Sequence, residues 1–203
     1  MKKIDIIGIS RLRMGTDGKG IRTLVAAEGC PLRCKYCLNP HSWNGTESVE
    51  TLTVEELYEQ LKVDHLYFLA SEGGVTFGGG EPLLYGEFIC EFVDYIDHKW
   101  SIAVETSLNV PQSDLKLLIG YVDQFIVDIK SMDADIYRAY TGGDNRQVLD
   151  NLVFLLSKVP TEAVLVRVPQ IPDYTTDEDV EETVRRLKEM GVTEWEIFPY
   201  YIV

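Results

Sequence analysis

The sequence predicts an α/β fold in which a parallel sheet carries helices on its outside. Short β-branched runs alternate along the chain with longer segments whose apolar residues recur every three or four positions. Strand–helix alternation of this kind is typical of parallel sheets. With 203 residues and a hydrophobic content of 45%, the chain suits a single domain over 1–203 with a full core.

Six strands are predicted in chain order, at 21–27, 74–77, 101–105, 124–129, 163–168 and 194–198. The predicted helices cover 53–62, 85–98, 113–120, 133–140, 146–157 and 176–190. Thr53 and Glu56 have the spacing of a capping box, which marks the start of the first helix. Gly191 suits the position after the end of the last helix. Six strands are too few for a closed eight-stranded barrel.

Three cysteines lie within eight residues, in the run Gly29-Cys30-Pro31-Leu32-Arg33-Cys34-Lys35-Tyr36-Cys37. This spacing offers three thiolates to one metal centre and leaves a fourth ligand open. Cysteine thiolates are the usual ligands of iron–sulfur clusters. A zinc ion would need a fourth N or S ligand, for which His41 is the candidate. The spacing alone leaves both kinds of site open.

Disulfides are not expected from these cysteines. The chain has four cysteines, no signal-peptide pattern at its start and no hydrophobic run long enough to span a membrane. Closely spaced cysteines in such a chain indicate metal or redox chemistry. The fourth cysteine, Cys90, lies in the apolar run 88–93 and is predicted to be a helix core residue.

A glycine-rich turn, Gly78-Gly79-Gly80-Glu81, follows the strand predicted at 74–77. Glycines let a backbone come close to a ligand or adopt positive φ. The Glu81 carboxylate can accept hydrogen bonds from an ammonium group. A tight turn without a ligand would also explain the glycines. The turn together with the upstream cysteines is more specific than either motif alone.

With both motifs present, the sequence resembles the radical S-adenosylmethionine superfamily. The resemblance implies one 4Fe–4S cluster, held by Cys30, Cys34 and Cys37, whose remaining iron binds S-adenosylmethionine. It also implies cofactor contacts near the methionine end and the adenine, from Tyr36, Gly78, Gly79, Gly80 and Glu81. No second cluster is expected, because no cysteine lies between Cys37 and Gly79.

Further motifs in the same order narrow the resemblance to the glycyl-radical-enzyme activases, the family typified by pyruvate formate-lyase activase. They are Asp17-Gly18-Lys19-Gly20-Ile21-Arg22, Tyr36-Cys37-Leu38-Asn39-Pro40, Asp128-Ile129-Lys130, Tyr140-Thr141-Gly142 with Asn145, and Arg167-Val168-Pro169-Gln170-Ile171-Pro172. The resemblance implies a partial (β/α)6 TIM-like barrel of parallel strands with helices outside. It adds cofactor contacts from Glu105, Thr106, Asp128, Lys130 and Arg167. These residues fall at or beyond predicted strand C-termini, where parallel α/β folds build their sites.

The implied activity is reductive cleavage of S-adenosylmethionine and abstraction of a hydrogen atom from a glycine of a partner glycyl radical enzyme. No general acid or base is needed, so His65 and His98 are expected at the surface.

The sequence departs from the family pattern at two places, and both put the substrate in question. Glu105-Thr106-Ser107 replaces the family's Asp-Thr-Asn, and Pro199-Tyr200-Tyr201 replaces Pro-Tyr-His. The alternatives are a radical S-adenosylmethionine enzyme acting on a small molecule or peptide, and a non-catalytic Cys3His zinc-binding domain.

Charge is distributed unevenly along the chain. The formal net charge is −14, but residues 1–38 carry eight Lys or Arg against three Asp or Glu, a net of +5. The acidity of the remainder argues against nucleic acid or a membrane as partner. The basic segment contains the cysteines, so it is expected to attract an acidic electron donor, a flavodoxin or ferredoxin, in an anaerobic cytoplasm. Ordinary surface charge would also explain the asymmetry.

Overall fold

The strands of the chain form one eight-stranded sheet in the order β3-β1-β2-β4-β5-β6-β7-β8. The computed structural model describes residues 2–43 and 49–200. The strands are β1 Lys3–Met14, β2 Ile21–Ala27, β3 Glu50–Thr53, β4 Gly74–Gly79, β5 Ser101–Thr106, β6 Gln124–Asp128, β7 Val164–Gln170 and β8 Glu194–Pro199.

The six predicted strands, β2 and β4 to β8, run parallel and are connected by helices. The helices are α1 Val54–Leu61, α2 His65–Ser71, α3 Gly86–Tyr95, α4 Gln112–Leu117, α5 Ala134–Thr141, α6 Arg146–Leu156 and α7 Asp177–Glu189. The predicted capping box is present, since the Thr53 side chain accepts from the Glu56 N–H and the Glu56 side chain accepts from the Thr53 N–H. The α/β partial barrel with helices outside is therefore confirmed.

The sequence does not predict β1, β3 or α2. β1 pairs antiparallel with both β2 and β3, which extends the parallel sheet at one edge. Its register against β2 shifts twice, and its second half is largely exposed. β3 has four residues and α2 has seven. Short or irregular elements give weak periodicity, which explains why the pattern of apolar residues does not reveal them.

The two faces of the sheet have different environments, because side chains alternate along each strand. The outer face is apolar and packs against the helices. Phe77 of β4 and Phe92 of α3 meet edge to face, with ring centroids 5.8 Å apart. The inner face carries charged side chains, including an ion pair between Glu105 and Arg167. Polar groups that could bind a ligand therefore lie inside the barrel.

The loop between β1 and β2 closes the end of the barrel where the parallel strands begin. Thr76 Oγ1 donates to the Asp17 carbonyl at 2.6 Å. The buried Arg22 donates to Thr76 Oγ1 at 3.0 Å and to the carbonyls of Val75 and Ser101. Burial lowers the pKa of Arg22 to about 10. The motif that contains Asp17 and Arg22 thus braces the end of the barrel opposite the cysteines.

The packing corrects two expectations about surface residues. Arg11 and Arg13 form ion pairs with Asp64 and Asp17, so part of the positive charge of residues 1–38 is neutralised within the fold. His65 is half-buried, and its Nδ1 accepts a hydrogen bond from Trp100 Nε1 at 2.9 Å.

Of two other assignments from the sequence, that of His98 is confirmed and that of Cys90 is confirmed only in part. His98 is exposed, as expected. Cys90 lies on α3, partly buried against the core, with its Sγ 3.4 Å from the Leu117 carbonyl oxygen. Within residues 2–43 and 49–200, no helix is both long enough and apolar enough to cross a bilayer.

Asp64→Ala is expected to lower the free energy of unfolding by about 2–4 kcal/mol, because it leaves buried polar partners unpaired. Asp64 is 1% exposed, and its carboxylate accepts from Arg11 at 2.6 Å and from Thr23 Oγ1 at 2.9 Å. Urea denaturation measures the change. The exposed pair of Glu59 and Lys62 supplies a control, since Glu59→Ala should change stability by less than about 0.5 kcal/mol. Equal losses in the two variants would contradict this assignment.

Candidate functional site

The three clustered cysteines lie on the loop that follows β2, at the C-terminal end of the parallel strands. Cys30, Cys34 and Cys37 are half-buried free thiols. The backbone N–H of Gly29 donates to the Ser42 carbonyl at 2.7 Å, which closes the loop on itself. The Cys37 N–H donates to the Cys34 carbonyl at 3.2 Å, so these two residues belong to one turn. We refer to residues 29–37 as the cysteine loop.

The end of α5 holds the cysteine loop from one side. The N–H groups of Arg33 and Lys35 donate to the carbonyls of Thr141 and Tyr140, at 2.9 and 3.0 Å. A side chain at Gly143 would place its Cβ 2.8 Å from the Leu32 side chain. The Tyr140-Thr141-Gly142 motif therefore supports the cysteine loop. In the sequence this motif contributes to the family resemblance, but the spacing of its residues does not show that it contacts the cysteine loop.

The glycine-rich turn after β4 holds the cysteine loop from the other side. The N–H groups of Gly80 and Glu81 donate to the carbonyls of Ala27 and Gly29, at 2.9 and 2.7 Å. A Cβ on Gly80 would lie 2.2 Å from the Gly29 carbonyl oxygen, and Gly79 has φ +85°. Close backbone packing thus explains these two glycines. The nearest obstacle to a Cβ on Gly78 is Glu105 Oε2, at 2.9 Å inside the barrel.

Glu81 points into the protein, and the carboxylate that is predicted to accept from a ligand ammonium group accepts from protein donors. The side chain is 1% exposed. One oxygen accepts from Thr106 Oγ1 at 2.7 Å and from the Leu83 N–H at 3.3 Å. The other accepts from the Ser107 N–H at 3.0 Å and from Ser107 Oγ at 2.7 Å. A carboxylate has about four lone-pair sites, and protein donors occupy all of them. Burial raises the pKa of Glu81, while these hydrogen bonds oppose the shift.

Thr106 is a partner of Glu81, because its hydroxyl donates to that carboxylate and accepts from the Leu108 N–H at 2.9 Å. Its predicted contact with the cofactor stays a prediction. Ser107, at a position where the sequence departs from the family pattern, supplies two of the four donors to Glu81. The sequence does not indicate this role for Ser107.

Glu105 and Arg167 face each other across the inside of the barrel. Arg167 Nη1 donates to Glu105 Oε1 at 2.8 Å, and Arg167 Nε donates to Glu196 Oε1 at 2.5 Å. Burial raises the pKa of Glu105 to about 7; Arg167 opposes the shift, and Asp17 and Asp128 add to it. The predicted residues Glu105 and Arg167 are thus brought together at the end of the strands.

Asp128 and Lys130 form a second ion pair beside the cysteine loop. Lys130 Nζ donates to Asp128 Oδ2 at 2.9 Å. Burial lowers the pKa of Lys130, but Asp128 and Cys34 outweigh this effect, so the pKa is raised and the ammonium persists. Asp128 Oδ1 is buried and has no hydrogen-bond partner among the residues the structure describes. Since buried polar atoms are normally satisfied, this oxygen is a candidate ligand contact.

Tyr36 belongs to a cluster of tyrosines beside the cysteine loop. Its hydroxyl donates to Asp173 Oδ2 at 3.0 Å, which raises its pKa. Its ring centroid lies 5.8–6.4 Å from those of its three neighbours, Tyr140, Tyr174 and Tyr200. We call these four residues the tyrosine cluster. The other departure from the family pattern, Tyr201, lies outside the described residues.

The thiols of Cys30 and Cys34 must lose their protons to bind a metal, and burial opposes that loss. Burial raises the pKa of Cys30 to about 12 and raises that of Cys34, where Lys130 opposes it. His41 is exposed. Across the described ranges, no three Cys, His, Asp or Glu side chains are grouped as a single metal ion requires.

Comparisons of the sequence with known proteins show its family. Residues 24–187 match the model of the Radical SAM superfamily. The pyruvate formate-lyase-activating enzyme of Clostridium pasteurianum is 33% identical over 190 residues, 91% of this chain and 77% of the relative. The isethionate sulfite-lyase activating enzyme of Oleidesulfovibrio alaskensis is 28% identical over 247 residues, 91% of this chain and 80% of the relative. The chain belongs to the radical S-adenosylmethionine superfamily and, within it, to the glycyl-radical-enzyme activases.

Comparison with solved structures shows the same fold. Streptococcus suis SuiB bound to precursor peptide SuiA aligns with a TM-score of 0.66 at 14% identity, over 88% of this chain and 38% of that one. TYW1 with a lysine-pyruvate adduct aligns with a TM-score of 0.65 at 17% identity, over 90% and 65%. This chain thus spans less than two thirds of either protein. The interval between the cysteine loop and β4 holds β3, α1 and α2.

The residues present fit an iron–sulfur cluster and S-adenosylmethionine. Three soft thiol donors lie on one loop, next to the C-terminal ends of the strands. Asp128 Oδ1 is a buried acceptor without a partner, suited to a cationic or hydroxyl-bearing ligand. Lys130 and Arg167 supply positive charge that a carboxylate could use. A zwitterionic ligand such as S-adenosylmethionine matches this combination of charges.

Glu105→Gln is expected to change the pH dependence of stability in the apoprotein. Burial raises the pKa of Glu105 from 4.5 to about 7, so the folded state holds this proton more tightly than the unfolded state. The stabilisation is then complete below about pH 4.5 and is lost as the pH rises to about 7, at a slope of at most about 1.4 kcal/mol per pH unit. Denaturation of Glu105→Gln over this range should show a smaller decline than the wild type.

Glu196→Gln is the matched control for this prediction. Glu196 contacts the same arginine as Glu105 but is 45% exposed. The Glu196→Gln variant keeps Glu105 and should therefore keep the wild-type decline. Identical slopes for Glu105→Gln and wild type would show that Glu105 does not titrate in this range.

Proposed function

We propose that this chain is a radical S-adenosylmethionine activase that abstracts a hydrogen atom from a glycine of a partner glycyl radical enzyme. When bound, a 4Fe–4S cluster and S-adenosylmethionine supply the reductive bond cleavage and the carbon radical that this reaction requires. The protein contributes binding, orientation and exclusion of water. The family shown by the comparisons supports this proposal, and so does the arrangement of the site.

The observation that carries the proposal is the seating of the cysteine loop between the glycine-rich turn and the end of α5. Backbone hydrogen bonds fix the loop on both sides, at 2.7–3.0 Å. Cys30, Cys34 and Cys37 would hold the cluster there.

The residues around the loop divide the binding of S-adenosylmethionine between them in this proposal. Asp128 Oδ1 and the backbone of the glycine-rich turn would accept hydrogen bonds from S-adenosylmethionine. Lys130 and Arg167 would bind its carboxylate. Tyr36 would contact the adenine. Because Gly78 has no side chain, the space beside the Glu105 carboxylate stays open. That carboxylate would face the sulfonium. Glu81 and Thr106 would act indirectly, by fixing the turn.

The proposed partner is a large glycyl radical enzyme. The proposed electron donor is reduced flavodoxin or ferredoxin, in an anaerobic cytoplasm. The names of the relatives point to three partner classes: pyruvate formate-lyase, isethionate sulfite-lyase and (2S)-3-sulfopropanediol dehydratase. Anaerobic incubation of the reconstituted protein with each partner, S-adenosylmethionine and a reductant tests the proposal. A glycyl radical signal in electron paramagnetic resonance is expected with one of them.

The same incubation distinguishes the alternative reaction. Formation of 5′-deoxyadenosine without a glycyl radical on any of the three partners would favour an enzyme that acts on a small molecule or peptide. No consumption of S-adenosylmethionine at all would contradict the proposed chemistry.

Alanine variants of the cysteines test the cluster assignment. Cys30→Ala, Cys34→Ala and Cys37→Ala should each lose most of the bound iron after anaerobic reconstitution, from a wild-type value of about four iron atoms per chain for one 4Fe–4S cluster. Cys90→Ala should keep the wild-type iron content, because Cys90 lies on α3, away from the cysteine loop. Loss of iron in Cys90→Ala, or its retention in Cys34→Ala, would show that the ligands are misassigned.

Lys35→Glu tests docking of the electron donor. Lys35 is exposed on the cysteine loop, whereas Arg33 also braces the loop by donating to the Cys30 carbonyl at 2.6 Å. Reversal of the Lys35 charge should slow reduction by flavodoxin several-fold at low salt, because steering by charge acts on association rates. Reduction by dithionite should not change.

Lys99→Glu is the control for donor docking. Lys99 is exposed just before β5, at the opposite end of the sheet from the cysteine loop. Lys99→Glu makes the same change in charge far from the cysteine loop, so it should leave both reduction rates unchanged. Equal slowing by Lys35→Glu and Lys99→Glu would mean that only the net charge of the protein matters.

A further inference from the structure

Three charged side chains form one row across β6, β7 and β8. Asp128 pairs in register with Arg167, and Arg167 pairs in register with Glu196. Registered residues of neighbouring strands point to the same face of a sheet, so all three lie on the inner face of the barrel. The row therefore places one cation between two carboxylates.

Arg167 binds the carboxylate on β8 and leaves the carboxylate on β6. Its Nε donates to Glu196 Oε1 at 2.5 Å, and its Nη1 donates to Glu105 Oε1 at 2.8 Å. Asp128 accepts from Lys130 through Oδ2, while its buried Oδ1 has no hydrogen-bond partner in the part of the chain that the structure describes. A guanidinium has five N–H donors, so Arg167 has donors to spare beside an acceptor that lacks one.

Asp128 attracts Arg167 even in this arrangement. Burial lowers the pKa of Arg167, but the charges of Glu105 and Asp128 outweigh that effect, so the pKa is raised. A buried charged acceptor without a partner is costly, and an Arg167 that was free to turn would pair with Asp128 Oδ1. Glu196 opposes this turn, because it holds Nε, the guanidinium nitrogen nearest the backbone.

We propose that Glu196 is a positioning residue, which holds Arg167 towards β8 and thereby keeps Asp128 Oδ1 open to the hydrogen-bond donors of S-adenosylmethionine. The inference rests on the proposed function, since it concerns the binding of that cofactor. The Glu196 side chain is 45% exposed, whereas that of Arg167 is 15% exposed. An exposed partner in an ion pair contributes little to the stability of a fold, so loss of Glu196 should change the site without unfolding the protein.

A crystal structure of the apoprotein variant Glu196→Ala tests the geometry without cofactors. Arg167 should then donate to Asp128 Oδ1, at about 2.7–2.9 Å as in other charge-assisted hydrogen bonds. An Arg167 that stays in place, with Asp128 Oδ1 still unpartnered, would overturn the proposal. Glu194→Ala is the matched control, because Glu194 is exposed on the same strand and face, two residues before Glu196. Arg167 should not move in that variant, and the same movement in both variants would also overturn the proposal.

The affinity of the reconstituted holoenzyme for S-adenosylmethionine, measured by isothermal titration calorimetry, tests the consequence for binding. Glu196→Ala should bind about tenfold more weakly than the wild type, the scale of one hydrogen bond to a charged group. In an Arg167→Met background the same substitution should change the affinity by less than about twofold, because no guanidinium is left to restrain. Wild-type affinity in Glu196→Ala, or an equal loss in both backgrounds, would overturn the proposal. A wild type that does not bind S-adenosylmethionine would instead contradict the proposed function.

Discussion

The four hydrogen bonds received by the Glu81 carboxylate are the interaction on which the site depends. They join the end of β4 to the end of β5 through Thr106 and Ser107. The chain is held there so that the N–H groups of Gly80 and Glu81 face the carbonyls of Ala27 and Gly29. A buried carboxylate is costly unless all its acceptor sites are used, and here they are. The glycine-rich turn is rigid for this reason.

The cysteine loop takes its shape from that turn and from α5 on its other side. A loop with three metal ligands would otherwise be mobile, because it lies beyond the end of a strand. The charged groups inside the barrel, Glu105, Asp128, Lys130 and Arg167, lie at the same end of the strands. In the proposed function the fold separates two tasks: backbone contacts position the thiols, and the ion pairs would provide charge for a zwitterionic ligand.

Much of this arrangement could be predicted from the sequence, for identifiable reasons. The six parallel strands have compact β-branched runs and glycine boundaries, and motif residues at their ends necessarily share one edge of the sheet. β1 and α2 were not predicted, because their apolar residues are irregularly spaced or their side chains are exposed. The spacing of motif residues in the sequence does not show which way a side chain at the end of a strand points. Glu81 therefore looked like a ligand contact, and the supporting role of Tyr140 and Thr141 was not apparent.

The central claim, that Glu81 acts by holding the turn and not by touching the ligand, is tested most directly by the stability of Glu81→Gln without cofactors. The amide cannot accept all four hydrogen bonds, so the apoprotein should lose about 2–4 kcal/mol of unfolding free energy in urea. Binding of S-adenosylmethionine to the reconstituted variant should weaken as a consequence. An apoprotein as stable as the wild type, combined with weakened binding, would contradict the account and restore Glu81 as a direct ligand contact.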